Sequence, residues 1–150
     1  DGQPDLAELR RLAHEHKPKL IWCGGTALPL TVDFKGFAEI LKKSKSLIVG
    51  DDLTATNLDR IMAGVKNKSI NGVIIKPNQN GSLLEVKDIC ETAKKHGIKI
   101  VFSHRSGETM ESILADLAFG FQADFFKCGI TGKEREAKIK RLIAIERKMK

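Results

Sequence analysis

Val73-Ile-Ile-Lys-Pro-Asn-Gln-Asn-Gly-Ser-Leu-Leu-Glu-Val-Lys-Asp-Ile-Cys-Glu-Thr-Ala-Lys-Lys-His-Gly-Ile-Lys-Ile-Val-Phe102 reads as one strand–helix–strand unit. The apolar runs at its ends, Val73–Ile75 and Ile98–Phe102, fit strands buried on both faces of a parallel sheet. Between them Leu83–His96 has helical length and periodicity. Asn80-Gly81-Ser82 supplies turn and N-cap chemistry, and His96-Gly97 is a C-cap in which glycine takes the left-handed position.

The same grammar repeats on either side. Leu6, Leu9, Leu12 and Ala13 form the stripe of a leading helix that ends near His16-Lys17-Pro18, because proline cannot continue it. Leu20–Cys23, Leu47–Val49 and Phe125–Phe126 are further short strands. About Phe34–Lys43, Leu58–Lys66, Met110–Phe121 and Lys133–Lys148 are further helices, with Thr54-Ala55-Thr56-Asn57 as turn and cap. The chain is therefore expected to be a single α/β domain over 1–150, a leading helix plus five βα units around a parallel sheet. Five units cannot close an eight-stranded barrel. An open, doubly wound (flavodoxin-like) sheet is preferred to a partial TIM barrel, because helices on both faces bury the core without a partner.

Composition narrows the setting. Charged residues make up 30% and apolar residues 41% of the 150, ordinary for a soluble globular protein. No apolar run approaches a membrane span, and the polar start, Asp1-Gly2-Gln3-Pro4, does not read as a signal peptide. Cys23, Cys90 and Cys128 are odd in number and far apart, which fits reduced thiols and a cytoplasmic location. The net charge of +7 is concentrated in the last helix. There Lys133, Arg135, Lys138, Lys140 and Arg141 alternate with Glu134 and Glu136, as on a solvated face. With no Tyr and one Trp to stack on bases, a nucleic-acid partner is not expected.

The chemistry collects at the C-terminal ends of the strands, where parallel folds place their sites. Those ends are Cys23-Gly24-Gly25, Asp51-Asp52, Lys76, His104-Arg105-Ser106 and Lys127. One of these alone could be a satisfied ion pair, such as Asp51 with Lys76. The series as a whole points to a site, because burying charge is costly unless it is paired or used. Ser103-His-Arg-Ser-Gly-Glu-Thr109, a strand end opening a helical stretch, suits a phosphate or another small anionic ligand. The blander reading is a loop whose Ser and Glu cap the next helix. A carboxylate at a strand end can hold Mg²⁺, and a desolvated Lys has a lowered pKa and can act as a base. A second Lys with an Arg can steady a carboxylate or phosphate. Together these suit proton abstraction beside a carboxylate through a metal-stabilised enolate.

From Leu47 onward the chain resembles the C-terminal part of the enolase (phosphopyruvate hydratase) barrel domain. The resemblance rests on Ile48-Val-Gly-Asp-Asp-Leu-Thr-Ala-Thr-Asn57, Ile75-Lys-Pro-Asn-Gln-Asn-Gly81, Val101-Phe-Ser-His-Arg-Ser-Gly-Glu-Thr109, Ile113-Leu-Ala-Asp-Leu-Ala118 and Leu142-Ile-Ala-Ile-Glu146. It implies that Asp51 is a magnesium ligand and that Lys76 is the base taking the C2 proton of 2-phosphoglycerate. It also implies that Lys127 faces the substrate carboxylate, that Arg105 and Ser106 contact phosphate or metal, and that His104 lies beside the substrate. The segment Phe126-Lys-Cys-Gly-Ile-Thr-Gly-Lys-Glu-Arg135 keeps the Lys and the Glu-Arg of that family but not its Thr-Gly-Ala-Pro.

The beginning resembles a different family. Asp5-Leu-Ala-Glu-Leu9, His16-Lys-Pro-Lys-Leu-Ile-Trp-Cys-Gly-Gly-Thr-Ala27 and Asp33 to Ile40 are similar to serine hydroxymethyltransferase, of the pyridoxal-phosphate-dependent aminotransferase fold. The expectation is thus an engineered chimera, hydroxymethyltransferase-like over 1–46 and enolase-like over 47–150, with a natural fusion or truncation as the blander alternative. Of three metal carboxylates the resemblance supplies only Asp51, so the Mg²⁺ ligand set is incomplete and no cofactor is expected. Pyridoxal phosphate is not expected either, because the stretch lacks the Schiff-base lysine segment. The function expected is accordingly a non-catalytic α/β domain. The alternatives are a residual enolase-like binder or lyase remnant, and a fragment that forms a homodimer or completes a partner's barrel through open sheet edges.

Overall fold

The computed structural model describes residues 4–21, 33–41 and 46–150. Helix α1 (Leu6–His16) is followed by strand β1 (Leu20–Ile21), α2 (Phe34–Leu41), β2 (Leu47–Gly50), α3 (Leu58–Lys66) and β3 (Gly72–Ile75). Then come α4 (Pro77–Asn80), α5 (Leu83–Lys95), β4 (Lys99–Ser103), α6 (Ile113–Gly120), β5 (Phe125–Lys127) and α7 (Lys133–Met149). The expected caps form. Asp5 accepts from the Ala7 and Glu8 N–H groups, Asn57 from Arg60 and Ser82 from Glu85, each a side chain closing a first turn. Beyond Ile21 the Leu20–Cys23 run, including Cys23, lies outside the described residues, as does Gly24-Gly25.

All pairings are parallel, and the sheet is open, with strand order β1-β2-β3-β4-β5 among the described residues. This corrects the preference for a doubly wound sheet. A doubly wound sheet needs a reversal of strand order, so that right-handed crossovers deliver helices to both faces. Here each strand adds on the same side of the last, and the described crossover helices pack on one face. Packing bears this out. Val73, Ile75, Ile100 and Phe102 meet Ile61 of α3, Val86 and Ile89 of α5 and Leu114 of α6 in one buried cluster. Ile48 meets Ala38 of α2 on that same face. Val49, Ile74 and Val101 point the other way and form a smaller cluster of their own. This is the winding of a barrel segment, left open.

β5 is held to β4 by more than its ladder. Asp124 Oδ1 lies 2.6 Å from Lys99 Nζ, and Oδ2 accepts from Ile100 N–H at 2.9 Å. Burial alone would push the Asp124 carboxyl up, but the Lys99 ammonium and the Ile100 amide outweigh it and hold it below the usual carboxylate range. A carboxyl lowered on folding stabilises above its unfolded value, and the gain disappears as pH falls through the folded one. Asp124→Asn should therefore cost about 1 kcal/mol at neutral pH and little at about pH 2. Urea denaturation at the two pH values checks this, and an equal loss at both would refute it.

Candidate functional site

The site begins where β2 ends. A Cβ on Gly50 would stand 2.6 Å from Thr54 Cγ2, so only glycine lets the following turn fold back so closely. In that turn Thr54 N–H and Ala55 N–H donate to the Asp51 carbonyl at 2.9 and 3.0 Å, and Thr54 Oγ1 donates to it at 2.8 Å. Ala55 and Thr56 both adopt left-handed backbone, with φ of 43° and 49°. That is a conformation side chains with a Cβ avoid, at roughly 1 kcal/mol or more each.

Buried Thr56 over-determines the turn. Its Oγ1 accepts from Lys76 N–H at 2.9 Å and donates to Gln79 Oε1 at 2.9 Å, while its carbonyl accepts from Asn80 Nδ2 at 3.2 Å. The turn bearing Asp51 and Asp52 is thereby bolted to the end of β3 and to α4, the elements that place Lys76. Proline at N1 and the Gly81 cap make residues 77–80 one short helical turn.

The bolt brings charges together. Lys76 Nζ pairs with Asp51 Oδ1 and donates to Asp52 Oδ1 at 3.0 Å. Lys127 Nζ, delivered by the register Ser103↔Lys127, stands 3.7 Å from Asp51 Oδ2. Of the expected site residues, Asp51, Lys76 and Lys127 thus meet. Their electrostatics differ from expectation in one respect. Burial does pull the Lys76 ammonium down, but Asp51 and Asp52 together outweigh it and raise its pKa above the ordinary lysine value. In this arrangement the Lys76 ammonium is held between two carboxylates.

Asp51 spends its carboxylate on two ammoniums. Among the described residues no three His, Cys, Asp or Glu side chains come together as a cation would need. The described residues by themselves therefore do not make up a ligand set for Mg²⁺, and no chemical step through it follows from them.

The second group lies on the loop after β4. His104 Nδ1 is 2.9 Å from the Arg105 carbonyl and 3.5 Å from Glu108 Oε2. Arg105 and Ser106 are exposed, and with His104 and Gly107 they line a pocket of roughly 170 Å³ whose far wall includes Pro77, Asn78 and Leu117. One expectation needs correcting here. The Ser103–Thr109 segment does not open a helix, since α6 starts at Ile113 behind Ser112, which makes no side-chain cap bond. The pocket is lined next to Lys76 by Pro77 and Asn78, while Asp51, Lys76 and Lys127 are not among its lining residues.

Lys138 is the residue that sequence reasoning misplaced. It was assigned to the solvated face of α7, yet it is 1% exposed and bonded to Glu108 and to two backbone carbonyls. A signal was present: Lys138 stands one helical turn before Leu142 and two before Ile145, on the apolar stripe of α7.

Residues 29–150 match the family described as enolase, C-terminal TIM barrel domain. The chain belongs to that family. It is 49% identical to the enolase of Picrophilus torridus over 119 residues, 78% of this chain and 30% of that one. It is 47% identical to the enolase of Sulfurisphaera tokodaii over 116 residues, 76% of this chain and 28% of that one. With the enolase of Archaeoglobus fulgidus the identity is 45% over 117 residues, 78% and 29% of the two chains. The chain thus spans under a third of the length of these curated relatives. The barrel-family match begins 18 residues ahead of Leu47 and takes in α2. The sequential, one-faced winding found above is what a segment of such a barrel requires.

Proposed function

We propose that this chain is a non-catalytic piece of an enolase-type barrel, an α/β unit whose strand-end charges satisfy one another instead of a substrate. The observation that carries the reading is the Asp51 carboxylate shared between Lys76 and Lys127, with Asp52 as a further counter-charge on Lys76. A Lys held this way gives up its proton reluctantly, and an Asp held this way is a poor ligand for a hydrated divalent ion.

The chimeric origin belongs to the same proposal. The resemblance of Asp5–Ile40 to serine hydroxymethyltransferase supports a foreign leading segment, and the barrel-family match starting at residue 29 shortens it. A junction ahead of residue 29 fits that match, and the stretch Asp33–Ile40 then belongs to the barrel segment. The free, buried thiols of Cys90 and Cys128 support a cytoplasmic setting, and no helix among the described residues is long and apolar enough to cross a membrane.

Calorimetric titration with 2-phosphoglycerate and Mg²⁺, together with a turnover assay, tests the central reading. No saturable heat and no product are expected. The exposed Arg105 guanidinium at a pocket mouth favours one second reading, a residual anion binder. Saturable binding that disappears in Arg105→Ala would establish that reading in place of the inert one. The open edges at β1 and β5, the latter with Phe125 half-exposed, support homodimerisation, which light scattering measures.

A further inference from the structure

We propose that Lys138 is a positioning residue for the His104 ring, acting through Glu108. The ammonium of Lys138 is enclosed where α7 crosses the loop after β4. It donates to Thr109 O at 2.5 Å and to Glu134 O at 3.0 Å, and it lies 3.0 Å from Glu108 Oε1. These three acceptors match the three protons of an ammonium, so no donor is left over. A buried charge so completely partnered has one geometry available to it, which makes it a rigid anchor.

The consequence falls on Glu108. With Oε1 drawn to Lys138, its other oxygen is turned to His104, at 3.5 Å from Nδ1. The Arg105 carbonyl faces the same ring nitrogen at 2.9 Å. A carbonyl and a carboxylate only accept, so in the neutral ring Nδ1 carries the proton and Nε2 keeps the lone pair. The last helix therefore determines, from a distance, which nitrogen of His104 offers an acceptor to anything that enters the pocket. The arrangement needs no ligand and is independent of the function proposed above.

Imidazole nitrogen spectra of ¹⁵N-labelled protein read the tautomer directly. At a pH where His104 is neutral, the wild type should show the Nδ1–H form as its major species. Glu108→Gln and Lys138→Met should each lose that predominance, and the double variant should go no further than either alone, since both act through one contact. Amide spectra away from the loop report whether each variant is folded, and Glu108→Gln carries the test if Lys138→Met does not fold. A wild-type ring in the Nε2–H form overturns the proposal. So does a folded Glu108→Gln or Lys138→Met variant that keeps the wild-type tautomer, because the Arg105 carbonyl alone would then be enough.

Discussion

Truncating Phe102 to alanine is expected to cost about 3–5 kcal/mol, a large part of the 5–15 kcal/mol that holds a domain of this kind folded. Phe102 is fully buried on β4 in the centre of the main cluster, and its ring stacks on Phe121 with centroids 5.8 Å apart. Phe121 caps the C-terminal end of α6, so the pair fastens that helix to the sheet. Removing the ring leaves a void walled by Ile100, Val86 and Leu114, side chains fixed in helices and strands that cannot collapse into it. Urea denaturation should show the midpoint falling sharply at an unchanged slope. Ile130→Ser is the matched control, because Ile130 is 82% exposed and its loss should stay within about 0.5 kcal/mol. A loss below about 1 kcal/mol for Phe102→Ala would mean that the sheet and α6 are not packed as described.

The second large effect concerns the charge cluster. Lys76→Met should cost about 2–3 kcal/mol, less than the full penalty for breaking a buried pair because Asp51 keeps partial contact with water and with Lys127. Asp51 Oδ1, buried and facing the Lys76 ammonium as an ion pair rather than an aligned hydrogen bond, would lose its charge partner. Replacing both members, Lys76→Met with Asp51→Leu, should recover part of the loss, since an apolar pair leaves no orphaned charge. A double variant as unstable as the sum of the two singles would show that the residues do not act on each other.

Much of the architecture was legible because it is local. Near-continuous apolar runs such as Val73–Ile75 announce a parallel strand, and Asn57, Ser82 and Gly97 announce helix ends through their own backbone chemistry. The winding was not legible, because strand order depends on which strands pair across 25 residues or so, and no local pattern encodes it. The site was half legible for the same reason. Strand ends named Asp51, Asp52, Lys76, His104 and Lys127, while the sign of the shift on Lys76 was set by how closely the turn brings Asp51 and Asp52 to its ammonium. That turn depends on two left-handed residues, Ala55 and Thr56, neither of which advertises such a backbone. Lys138 escaped because a lysine on a charged helix is nearly always solvated. It is buried here only because Glu108 and two carbonyls of other residues wait for it.

The claim on which the functional reading rests is that Lys76 is a held ammonium. Following its side-chain ¹³C and ¹⁵N resonances through an alkaline titration measures this directly. A midpoint above the ordinary lysine value of about 10.4 is expected, with the stability that the pair supplies present below that value and lost as pH climbs through the folded one. A midpoint below it would mark Lys76 as a poised base and would contradict a site closed on its own charges.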